Sequence, residues 1–187
     1  MSTHRLHNQK DAIYFITFTC HEWLSLFEIT QCHYAFDKWF EYLQSKCVSL
    51  LGYVIMPNHF HGLLNLPQEC DKNLNQLVSN GKRFLAYEVV KLLEEHGEME
   101  VLKKLSDAVS AQERSKGKKH EVFRPSFDAK ECYDVKMVET KLNYIHFNPV
   151  RGKWRLVEDY VEYPYSSAAF YEMGASHKYL KHYRDFV

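Results

Sequence analysis

Leu51-Gly-Tyr-Val-Ile-Met-Pro-Asn-His-Phe-His-Gly-Leu-Leu-Asn-Leu66 is an apolar, strand-like run carrying two histidines one residue apart, His59 and His61. Side chains alternate faces along a strand, so the two imidazoles point the same way and sit close enough to share one cation. Two imidazoles are half of a metal site, because transfer chemistry needs a further ligand and an open position for substrate. With 11 His in 187 residues, roughly 0.6 such pairs arise by chance, so the spacing is a weak signal unaided. The alternative reading has one histidine hydrogen-bonded in the core and the other exposed. Pro57 and Asn58 interrupt the run. Since proline removes a ladder donor, they predict either a turn between strands at 47–55 and 62–66 or one long strand with Pro57 on its edge.

Working outward, residues 12–20 are β-branched and aromatic and alternate in character, which predicts a first strand. Ala35, Trp39, Tyr42 and Leu43 recur at helical spacing and predict a helix over 29–45. Leu74, Leu77, Val78, Phe84, Leu85, Val89 and Leu92 predict a second helix over 73–95, weakened at Gly81 and broken by Gly97. Residues 98–119 are charged and apolar-poor, which predicts a short helix followed by a mobile loop, a flexible insertion. A strand interrupted by Pro125 is expected at 120–127. The stripe Val135, Val138, Leu142, Ile145 predicts a helix over 133–148, closed by Pro149, and Pro164 to Ser167 read as a turn or helix start. This order is that of an α+β, ferredoxin-like βαββαβ sandwich. We expect a four- to five-stranded antiparallel sheet with helices on one face, an added C-terminal helix free to carry function, and one domain over 1–187.

Composition narrows the function classes. The net charge is zero with 24 basic and 24 acidic residues, so the chain lacks the global basic field of a non-specific duplex coater. Local basic stretches remain at 114–120, at Lys82-Arg83 and at 177–184. Aromatic residues make up 15%, which serves core packing or a stacking surface for bases. The five cysteines, Cys20, Cys32, Cys47, Cys70 and Cys132, form no C-x-x-C pair, against a disulfide framework or thiolate zinc site. No signal-peptide pattern and no span-length apolar run is present, so no membrane partner and a cytoplasmic location are expected.

On the last helix, Tyr144 and Asn148 are four residues apart and share one face. Asn148 can supply an amide oxygen as a third ligand beside His59 and His61, with Tyr144 presenting its phenolic oxygen to what the cation polarises. Two neutral imidazoles and an amide leave a divalent ion its full charge, suited to an anionic phosphodiester. A tyrosine nucleophile then forms a phosphotyrosine. Phenol titrates near about pH 10, so Tyr144 needs a base or cation beside it, for which Lys141, His146, His120 and Asp128 are the candidates.

The segment Val54-Ile-Met-Pro-Asn-His-Phe-His-Gly-Leu-Leu, then Asn143-Tyr-Ile-His-Phe-Asn-Pro-Val-Arg-Gly-Lys-Trp, then Tyr163-Pro-Tyr-Ser-Ser-Ala resembles the single-tyrosine HUH transposases. The resemblance is strongest to the REP-associated tyrosine transposases and runs from the first strand to about Tyr171. It implies a bacterial transposase acting on single-stranded or hairpin DNA at repetitive elements, in the cytosol or nucleoid. It further implies metal binding by His59, His61 and Asn148, and cleavage by Tyr144 through a 5′-phosphotyrosine that stores the energy for rejoining. Two features depart from the pattern: Phe123-Arg124 stands where relatives commonly have Trp-Gln, and 98–119 looks inserted.

Two imidazoles shift metal preference from Mg²⁺ toward Mn²⁺ or later ions, and activity with Mg²⁺ or Mn²⁺ is expected. Lys82, Arg83, Arg124 and Arg151 are the expected phosphate contacts. The resemblance leaves monomer and homodimer both open. Competing readings are a catalytically silent hairpin-DNA binder and a rolling-circle initiator or relaxase. Retention of all four site residues favours the enzyme over the first, and the lone tyrosine before Asn-Pro argues against the second.

Overall fold

The computed structural model describes residues 7–187. Three strands arise where the apolar runs are. β1 (Ala12–Thr19), β2 (Ser49–Met56) and β3 (His59–Leu66) are almost wholly buried. Met56 pairs with His59 across the two-residue turn Pro57-Asn58, so the turn reading holds and the long-strand alternative does not. The fourth strand, β4, is Asp128–Cys132 and not 120–127. Pro125 cannot donate to a ladder, and from the expected segment only Phe123 makes an isolated bridge, to Cys20. The sheet is antiparallel in the order β2-β3-β1-β4, which makes the fold an α+β, ferredoxin-like sandwich.

The helices divide between the two faces. On one side lie α1 (Leu26–Thr30), α2 (Ala35–Ser45) and α3 (Leu74–Glu95). The single helix expected over 29–45 is broken because Gln31 adopts a left-handed backbone, φ 53°. Tyr14, Ile16 and Phe18 of β1 and Phe60 and Leu64 of β3 bury against this layer. Gly81 does not weaken α3 but admits Trp39, since a Cβ there would come 2.4 Å from the indole. The segment 98–119 forms α4 (Met99–Asp107) and α5 (Ala111–Arg114), and the buried Leu102 and Leu105 tie α4 to the core.

The other face is covered by α6 (Val135–Phe147), the added helix, while the two helices of the βαββαβ core, α2 and α3, share one face as expected. Asp134 caps α6, its carboxylate accepting from the Met137 N–H at 2.7 Å, and Pro149 follows the helix end. Val138, Leu142 and Ile145 pack on Ile13, Phe15 and Leu63, whereas Val135 is exposed. A bulge between Leu50 and Gly52 of β2 turns Gly52 toward α6, where a Cβ would meet Leu142 at 2.5 Å. Coverage on both faces explains why β1 to β3 read as continuous apolar runs.

The chain after α6 closes the edge of β2. The Ile55 N–H donates to Tyr165 O, Ser167 N–H to Tyr53 O and Lys181 N–H to Leu50 O, on either side of α7 (Ala168–Glu172). Among the described residues no helix is long and apolar enough to cross a membrane, and all five cysteines are free thiols.

Candidate metal and phosphate cleft

Alternation in β3 sends Phe60 into the α2/α3 layer and places His59 and His61 on the α6 side, their rings 4.7 Å apart between centroids. Both are buried, and the Nδ1 of each is engaged. Asn58 donates its amide to Trp23 O at 2.8 Å. Its oxygen therefore faces His59 Nδ1, 2.7 Å away, and must accept a proton from it. Thr17, the cross-strand neighbour of His61, places its hydroxyl 2.6 Å from His61 Nδ1. Hydrogen bonds of this kind fix the orientation and tautomer of metal-binding imidazoles.

That arrangement leaves His61 Nε2 buried with no hydrogen-bond partner. An orphaned buried nitrogen is costly unless something fills the position, and a lone pair there fits a cation. Burial pushes the His59 pKa down to about 4, against a hydrogen bond to Asn148 that raises it. Burial, then His59 and Lys141, push His61 down to about 3. Both rings are therefore neutral near pH ~7, the form that ligates. Among the described residues no group of three or more His, Cys, Asp or Glu could hold a metal. The third protein ligand compatible with this site is the buried amide of Asn148, in hydrogen-bond contact with His59.

Tyr144 reaches the same place from α6. Its ring meets His61 edge-on at 5.1 Å and Phe15 at 5.9 Å, within one chain. The rotation of α6 is held from its buried side. His146, two residues along, lies 2.9 Å from the Ser167 hydroxyl, which also accepts from the Tyr53 N–H at 3.0 Å. His146 thus packs away from the cleft, with burial lowering its pKa to about 4. His120 lines a different depression. Of the four groups considered as partners of Tyr144, only Lys141 and Asp128 line the cleft with it. The Lys141 ammonium sits 5.8 Å from the Tyr144 ring centroid and 4.4 Å from that of Phe15.

The cleft has a volume of about 740 Å³ and gathers His59, His61, Tyr144 and Asn148 with Arg151, Trp23 and Trp154. Lys130, Lys141 and Arg151 outnumber Asp128 along its walls. The other expected phosphate contacts lie elsewhere. Lys82, Arg83 and Arg124 border a second depression between α3 and residues 113–125. Lys82 is directed inward, its ammonium donating to Arg124 O at 2.7 Å, Ser126 O at 3.2 Å and Pro125 O at 3.3 Å. Its burial lowers its pKa to about 8, so it secures the 124–126 loop. Arg83 and Arg124 are exposed.

The sequence reading missed Thr17, Asn58, Trp23 and Trp154. A strand register between 12–20 and 59–66 would have found Thr17, whereas the tryptophans arrive on loops that no periodicity marks.

No family model matches the chain, and no curated protein does. Among solved structures, a REP-associated tyrosine transposase bound to a REP hairpin aligns with a TM-score of 0.62 at 18% identity. The alignment covers 97% of this chain and 94% of that one. At that identity the likeness is one of fold, and it extends over nearly the whole length of both chains.

Proposed function

We propose that this chain is a metal-dependent transposase that cleaves and rejoins single-stranded DNA at hairpin-bearing repetitive elements. The observation that carries the reading is the meeting of Tyr144, from α6, with the oriented His59–His61 pair of β3 at the mouth of a basic cleft. The sequence motifs and the fold shared with a hairpin-bound transposase support it.

A divalent ion, Mg²⁺ or Mn²⁺, would be held by His59, His61 and Asn148, and would supply positive charge to a phosphate oxygen. Thr17 and Asn58 keep the two imidazoles turned to receive it. Tyr144 Oη attacks phosphorus, the P–O3′ bond breaks, and the products are a 5′-phosphotyrosine and a free 3′-hydroxyl. The phenolic proton passes to Asp128 or to water in the open cleft, a proton from that water protonates the departing O3′, and Lys141 offsets negative charge developing on the phenolic oxygen. Rejoining is the same exchange reversed, with a 3′-hydroxyl displacing Tyr144, so no ATP is consumed.

The test is incubation of a 3′-labelled hairpin oligonucleotide with Mn²⁺ and separation on a denaturing gel. A covalent protein–DNA band lost with chelator and lost in Tyr144→Phe is the expected result. A band that persists in Tyr144→Phe refutes the nucleophile, and undiminished cleavage in chelator refutes the metal.

A further inference from the structure

Two indoles flank His59 at the cleft: Trp23, with its ring centroid 6.1 Å from that of His59, and Trp154, at 6.0 Å. Both line the cleft, Trp23 at the end of the short 3-10 turn His21–Trp23 and Trp154 on the irregular segment after α6. Trp23 is 54% exposed, a large apolar area to leave in water. It is also held at cost, since Glu22 (φ 47°) and Trp23 (φ 61°) are consecutive non-glycine residues in the left-handed region. Each such residue typically costs about 1–3 kcal/mol, and the strain persists only where surroundings over-determine it.

The surroundings do so here. Asn58, 1% exposed, donates to Trp23 O and accepts from His59 Nδ1, and Lys104 pairs with Glu22 at 2.7 Å. The side chain that orients the His59 imidazole therefore also holds the backbone that carries the exposed indole. On the other side Lys153 places its ammonium 5.1 Å from the Trp154 ring centroid, and Arg151 lies in the same wall. Aromatic side chains interleaved with cations beside the histidine pair match a single strand, whose bases stack while its phosphates pair with the cations.

We infer that Trp23 and Trp154 are stacking platforms for unpaired bases of single-stranded DNA flanking the phosphate held at His59. They are positioning residues that grip the strand irrespective of sequence, since every base has a π-face. The inference rests on the cleft being a DNA site, but not on Tyr144 cutting anything.

The test separates the two. Tyr144→Phe protein is titrated in chelator with a thymidine oligomer of about twelve nucleotides, the size such grooves span, and with an all-abasic oligomer of the same length. Binding is read by tryptophan emission for the Trp-containing protein and by anisotropy of labelled oligomer for every variant. The chain has three tryptophans, and Trp39 is fully buried, so quenching reports Trp23 and Trp154. The expected results are quenching by the thymidine oligomer and a loss of roughly tenfold in its affinity for each of Trp23→Ala and Trp154→Ala. The abasic affinity should be unchanged, and Trp→Phe should restore most of the loss. Equal loss for both oligomers, or no loss for either, overturns the stacking role. Absence of a covalent band in the cleavage assay, with these binding differences intact, would overturn catalysis and leave the platforms standing.

Discussion

Tyr144 and His61 lie more than eighty residues apart in sequence, yet their rings meet edge-to-face at 5.1 Å and 73°. Phe15 stacks on the other neighbour of that contact, its ring 5.4 Å from His61 at 20°. The tyrosine is thus packed through its ring, while 43% of the residue remains exposed. Tyr144→Phe keeps the ring and removes only the hydroxyl. Thermal unfolding should therefore shift by no more than about 0.5 kcal/mol in stability, while covalent adduct formation disappears. A large destabilisation would mean that the hydroxyl has a structural role.

Asn58→Ala should behave differently. It strips partners from His59 Nδ1 and Trp23 O, both at buried or strained positions. Leaving such groups unsatisfied costs about 1–3 kcal/mol, readable in urea midpoints. Mn²⁺ affinity measured by calorimetry should fall about 10–100-fold, as for other groups that orient metal-binding histidines. Unchanged Mn²⁺ binding would separate Asn58 from the metal site.

The buried histidines predict an acid-sensitive fold. His59, His61 and His146 have pKa values lowered by burial to about 4, 3 and 4, against about 6.5 in an unfolded chain. The unfolded chain then takes up protons that the folded chain does not. Their contribution is fully present above about pH 6.5 and is lost as pH falls toward the folded values. Each group weakens metal-free protein by up to about 1.4 kcal/mol per pH unit in that window. Urea midpoints between about pH 7 and pH 5 should decline, and less steeply in His146→Gln; an equal slope would show that His146 is not buried neutral.

At Gly81 two effects oppose each other. Alanine gains about 1 kcal/mol of helix propensity over glycine, but its Cβ would stand 2.4 Å from the rigid Trp39 indole, whose Nε1–H is committed to Leu77 O at 3.1 Å. Overpacking of a core typically costs about 1–3 kcal/mol, so Gly81→Ala should be net destabilising. Chemical denaturation checks the sign, and a gain in stability would show that Trp39 can move.

Arg151 and Lys82 should part company. Arg151→Gln removes an exposed cation from the cleft and should reduce the salt dependence of single-strand binding, the slope of log K against log salt falling by about 0.7. Lys82→Met should leave that slope alone and lower stability, because its ammonium is spent on the carbonyls of residues 124–126. A changed slope in Lys82→Met would return that lysine to the DNA surface.

Strands β1 to β3 were legible because burial on both faces leaves a continuous apolar record in Ala12–Thr19 and in Ser49–Leu66. α3 and α6 were legible from their periodic buried stripes. β4 was not, since Asp128–Cys132 is an edge strand whose side chains are mostly exposed or half-buried, with no apolar pattern to read. The short helix expected within 98–119 is α4, but two leucines, Leu102 and Leu105, were too few to announce that it docks on the core. His59 and His61 lie on β3, and Asn148 caps the helix that carries Tyr144, so local geometry places each pair together; the spacing was a weak signal unaided, and the resemblance supplied the expected roles. Tertiary structure alone decided how the pairs meet. The antiparallel register set Thr17 against His61, the Ser167–His146 contact set the rotation of α6, and two loops carried Trp23 and Trp154 to His59. These are contacts between segments distant in sequence, fixed by packing and long-range hydrogen bonds, and no local periodicity encodes them.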